Sequence, residues 1–126
     1  MAAASSREFS AWLSERSAFL HGLEKMAERA LQKDKDTHQY HALMRQKAAF
    51  LVELPAEATK RASGLPEDIA SLALSSLEQF AQNASRALEL DSVFYMYALL
   101  YPDNHVKGQP NNLDLLAARI AALAEE

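Results

Sequence analysis

Residues 6–32, SREFSAWLSERSAFLHGLEKMAERALQ, set Phe9, Trp12, Leu13, Phe19, Leu20, Leu23, Met26, Ala27, Ala30 and Leu31 mostly three or four positions apart. That recurrence belongs to a helix with one buried face. Ser5 followed by Glu8 offers a capping box at its start, and Gly22 within it predicts close contact with a neighbouring helix or a slight bend. At about 1.5 Å per residue the helix spans roughly 40 Å, so its length sets the long dimension of the fold.

Working outward, Lys33-Asp34-Lys35-Asp36 is a short charged turn, and Asp36 or Thr37 can cap a second helix carrying Tyr40, Leu43, Met44, Ala48, Leu51 and Leu54 on one face. So short a connection predicts an antiparallel hairpin. Pro55 stops or kinks that helix at Leu54, with a further turn or two reaching Arg61. Ser63-Gly64-Leu65-Pro66 reads as a boundary, with Gly64 in a left-handed cap and Pro66 opening a third helix whose Glu67 and Asp68 face its positive end. Ile69, Leu72, Ala73, Leu77, Phe80, Ala81, Ala84 and Leu88 form its inner stripe. Asp91-Ser92 breaks or caps it before an aromatic helix from Val93 to Tyr101, one continuous helix over 66–101 being the alternative. Residues 101–110 hold the proline, glycine and asparagine of a loop, and a last helix from Asn111 or Asn112 buries Leu113, Leu116, Ala117, Ile120 and Leu123. The expectation is an all-α fold, a single domain over 1–126. It is a bundle of four to five helices, with antiparallel long helices 1–3, a short aromatic helix and a C-terminal helix.

Composition removes several function classes. Hydrophobic residues make up 49% and charged residues 24%, the balance of a packed globular chain. With no cysteine there is no disulfide framework, thiolate zinc site, iron–sulfur cluster or cysteine nucleophile. Only Gly22, Gly64 and Gly108 are glycines, so neither a phosphate-cradling glycine loop nor a Gly-x-Ser-x-Gly elbow exists. The first residues lack the basic start and apolar run of a secretory signal, and the longest apolar run, Val93 to Tyr101, is well short of the roughly 20 residues of a membrane span. The expected location is the cytoplasm.

The net charge of −4 divides unevenly: up to Arg61 ten Lys/Arg face eight Asp/Glu, and from Ala62 onward three face nine. Nucleic acid is therefore an unexpected partner, since Asp34 and Asp36 dilute the basic residues Arg29, Lys33, Lys35, Arg45 and Lys47 around the first turn. His38 and His41 are the candidate metal ligands, three apart on one helix face and near Asp34 and Asp36. The spacing permits a site without demanding one, and no inward Glu-x-x-His accompanies it. His21 reads as a hydrogen-bonded residue at a helix edge.

The aromatic helix is the unusual segment, because Phe94, Tyr95, Met96, Tyr97 and Tyr101 make it apolar around its circumference. It must be covered on more than one side, either by the bundle or by a partner, and aromatic residues and methionine are enriched in interfaces. Next to it, Asp103, Asn104, His105 and Lys107 form a polar loop of the kind that flanks small ligand sites. Together these features predict a non-catalytic interaction protein without a cofactor, self-associating as a homodimer or binding a protein partner. A small-molecule or metal-binding bundle is the alternative.

Overall fold

The computed structural model describes residues 2–125, and among these there are helices and no strands. Three long helices, α1 (Ala2–Gln32), α2 (Thr37–Arg61) and α3 (Glu67–Leu90), are followed by the short α4 (Val93–Ala98) and by α5 (Asn112–Ala124). Side-chain contacts fix the directions. Along α1 and α2, Glu24 meets Lys47 and Trp12 meets Arg61, so residue numbers rise in one as they fall in the other. Ser10 and Ser17 of α1 meet Ala117 and Asp114 of α5 in the same reversed order. The bundle is antiparallel, with α2 between α1 and α3, α5 laid on α1, and α4 resting on α2 and α3.

The inner stripes of all five helices meet in one core that includes Leu13, Leu20, Met44, Leu51, Leu77, Met96, Leu113 and Ile120. Alanines at Ala48, Ala58, Ala73, Ala84 and Ala117 are buried in it, and small side chains allow the helix axes to approach closely. Phe19, Met26 and Leu31, on the predicted inner face of α1, are instead exposed, because that long helix is covered mainly by α2 and α5.

The helix ends are made locally. Asp36 accepts a hydrogen bond from the Gln39 amide at 2.9 Å, and Asn111 and Asp114 form a reciprocal capping box at the start of α5. Asp91 ends α3 in the left-handed conformation (φ 48°), so residues 66–101 form two helices rather than one. The aromatic helix is shorter than its apolar run: it ends at Ala98, Leu99 is extended, and Leu100 turns back at φ 75°.

Several boundaries depart from expectation. Helix α1 begins at Ala2, so Ser5 lies inside it and is no cap; Ala2-Ala3-Ala4 are the best helix formers available. Of the two readings of Pro55 the structure takes the continuous one: helix α2 runs through it to Arg61, the end expected for the further turns, since burial of Leu51, Leu54 and Ala58 outweighs the roughly 3 kcal/mol that proline costs there. Gly64 is not a left-handed cap but the end of a 3₁₀ turn, Ala62–Gly64, that leads into extended Leu65; a Cβ there would meet Ser5 Oγ at 3.3 Å. Gly22 is exposed with open space around it, so no neighbouring helix calls for glycine at that position.

Candidate functional site

Short α4 owes its form to Ser92, whose hydroxyl caps it by accepting from the Tyr95 amide at 3.2 Å. Six residues give the helix one fully buried side chain, Met96, with Val93 partly buried against the core beside it. Phe94, Tyr95 and Tyr97 are consequently 76%, 53% and 55% exposed. Phe94 and Tyr95 pack edge to face with ring centroids 5.6 Å apart. Met96 and Tyr101 therefore leave the set expected at an association surface: Met96 belongs to the core, and Tyr101 is half-buried with its hydroxyl donating inward to Glu24 Oε1 at 2.6 Å.

Between α3 and α4 lies an open groove of about 610 Å³. Its apolar lining comes from Leu51, Phe80, Ala87, Leu90, Tyr95, Ala98, Leu99 and Leu100, and its polar rim from Gln79, Asn83, Arg86 and Asn112. Leu100 turns here with positive φ, a conformation that costs a non-glycine residue about 1 kcal/mol or more. Its carbonyl accepts from the Asn112 amide at 2.8 Å, which ties the turn to the start of α5.

On the other flank of α4 a polar network runs through the bundle. Lys47 of α2 is fully buried, and its ammonium donates to Glu24 Oε2 at 2.9 Å and to the Tyr97 carbonyl at 2.8 Å, 5.0 Å from the centre of the Tyr101 ring. Burial pushes the Lys47 ammonium below its ordinary pKa, with Glu24 opposing that shift. Burial likewise pushes the Tyr101 hydroxyl up, reinforced by its bond to the Glu24 carboxylate. His21 lies between two carboxylates, Nδ1 at 3.2 Å from Glu24 Oε1 and Nε2 at 2.9 Å from Asp114 Oδ2. Ser17 donates to Asp114 Oδ1 at 2.5 Å. Partial burial raises the Asp114 carboxyl, but hydrogen bonds from Ser17, His21 and the Asn111 amide hold it below its usual range. Ser17, His21 and Asp114 do not make a nucleophile–base pair, because the serine proton goes to the carboxylate and Ser17 is fully buried. Charged and hydrogen-bonded, these residues clamp α1 to α2, α4 and α5.

The other sequence candidates separate. His41 contacts Asp91 Oδ1 at 2.8 Å, an oxygen shared with Arg45 Nη1 at 2.7 Å, while His38 is exposed. These partners hold the Asp91 carboxyl below its ordinary range, the His41 bond foremost. Among the described residues no three His, Asp or Glu side chains are grouped to hold a metal ion. In the loop, His105 packs against Tyr101 with ring centroids 4.5 Å apart and planes tilted by 45°, and Lys107 reaches Glu28 at 3.5 Å. Asp103 and Asn104 stay exposed, and none of these four loop residues lines the groove. Among the described residues no helix is long and apolar enough to cross a membrane.

No protein-family model, curated protein or solved structure matches the chain.

Proposed function

We propose that the protein is a non-catalytic interaction module that self-associates as a homodimer through the outer face of α4. The observation that carries this reading is the exposure of three aromatics, Phe94, Tyr95 and Tyr97, on one six-residue helix. Exposed aromatic rings grouped in this way are costly in water and common at the centre of interfaces. A second copy is the favoured partner because α4 contains no charged residue. Around a two-fold axis each residue near the axis faces its own copy, so charged residues would repel there and neutral rings pack.

Light scattering after size exclusion tests the proposal. At micromolar concentration the wild type should run at twice the chain mass of 14.0 kDa. Phe94→Glu should give a monomer with an unchanged helical spectrum, since that side chain is 76% exposed and its loss opens no cavity in the core. An interface aromatic is worth ~2 kcal/mol or more, hence more than tenfold in Kd. A wild type that stays monomeric across this range, or a dimer indifferent to Phe94→Glu, refutes it.

A further inference from the structure

We infer that the groove between α3 and α4 binds a small amphipathic carboxylate, its apolar body lying on Phe80, Leu90 and Leu99 and its head group meeting Arg86. This goes beyond self-association: of the three exposed aromatics Tyr95 also lines the groove, whereas Phe94 and Tyr97 do not.

Volume comes first. At about 610 Å³ the space falls within the roughly 300–1,000 Å³ of small-ligand pockets, and its mostly apolar lining with a few polar groups is their usual chemistry. Charge decides the ligand class. Arg86 is the single charged residue lining the groove, and it makes no ion pair among the described residues. It stands in the acidic part of the chain, where from Ala62 onward three Lys/Arg face nine Asp/Glu. A carboxylate in the groove thus meets a guanidinium and no acidic lining residue. Asn83 and Asn112 add amide donors at the same rim, and the Asn83 oxygen is already occupied by Gln79 at 3.2 Å, which leaves its NH₂ free to donate outward. Backbone geometry agrees independently: the buried Leu100, in a positive-φ conformation unusual for leucine, shapes the wall. Strain of this kind is concentrated at ligand sites.

The test titrates laurate, lauryl alcohol and dodecyltrimethylammonium, each below its aggregation limit, into the intact protein. Calorimetry measures affinity and amide chemical shifts locate the site. The expected order is carboxylate, then alcohol, then cation, with shifts centred on Arg86, Ala87, Ala98 and Asn112. Arg86→Gln, which folds because the side chain is exposed and unpaired, should weaken laurate about tenfold or more and abolish the preference for negative charge. Filling the groove by Ala98→Phe should remove binding of all three. Laurate binding should persist in the monomeric Phe94→Glu variant, so this inference stands or falls separately from dimerisation. No saturable laurate binding, an affinity indifferent to head-group charge or to Arg86→Gln, or shifts centred elsewhere overturns it. Tighter binding of an apolar peptide with a free C-terminal carboxylate than of laurate also overturns it, in favour of a protein ligand.

Discussion

Replacing Lys47 with methionine should cost the fold ~3–4 kcal/mol. Methionine keeps the unbranched stem and its packing, so the change isolates the ammonium. Removing one partner of a buried ion pair costs about 3–5 kcal/mol, because the charge left behind is unpaired. Here the remaining Glu24 carboxylate keeps the Tyr101 hydroxyl at 2.6 Å and His21 at 3.2 Å, which places the loss near the low end. The Tyr97 carbonyl, bonded to Lys47 at 2.8 Å, loses its partner and adds ~1 kcal/mol. For a chain of 126 residues each kcal/mol moves Tm by about 4 °C, so a fall of roughly 12–16 °C is expected. Urea denaturation followed by circular dichroism measures the free energy directly. The double variant Lys47→Met/Glu24→Gln should recover ~1 kcal/mol or more over Lys47→Met alone. Glutamine still accepts from Tyr101, and no unpaired charge remains. If Lys47→Met lies within 1 kcal/mol of the wild type, or the two substitutions simply add, the cluster is not the clamp described here.

Other perturbations test separate parts of the structure. Asp114 titrates below its unfolded value near 3.9, so its contribution is complete above that pH and is lost as pH falls through the lower folded value. Asp114→Asn should therefore flatten the acid limb of a stability–pH curve below about pH 4, and an unaltered limb would remove this assignment. Gly108→Ala, at φ 93°, should destabilise by ~1 kcal/mol in urea titration, whereas Gly64→Ala should cost less because only Ser5 Oγ must give way. The reverse order would contradict the turn geometry. Chelator should leave Tm unchanged; a fall that disappears in His38→Ala/His41→Ala would show that these residues hold a metal.

Much of the architecture was legible because apolar periodicity and end signals act locally. Asp36, Asn111 and the Asp91-Ser92 break each do their work within a few residues. What escaped depends on partners distant in sequence. Proline at 55 leaves a stop and a continuing helix both open until the buried Leu54 and Ala58 around it are counted. Phe19 and Met26 fit the inner stripe of α1, yet their exposure is decided by how few helices pack there. The site shows the same division. The surplus of aromatics on α4 is visible in composition, but Met96 turning inward is set by a helix of only six residues. The buried cluster left one signal: Lys47 stands three residues after Met44 and four before Leu51, an inward position on the stripe of α2. Its partners Glu24 and Tyr101, and the groove beside Arg86, exist only once the helices have assembled.

The pairing of α1 with α5 joins segments about a hundred residues apart, as in the bond from Ser10 to the Ala117 carbonyl. During synthesis α1 leaves the ribosome before α5, and the part of its greasy side that α5 covers has nothing to lie against until that helix emerges. At roughly 5–20 residues per second that wait lasts several seconds, long enough for a holding chaperone to bind. Closure of so long a loop also raises the contact order of an otherwise local helical fold, so refolding should be slower than for an up-and-down bundle of equal size.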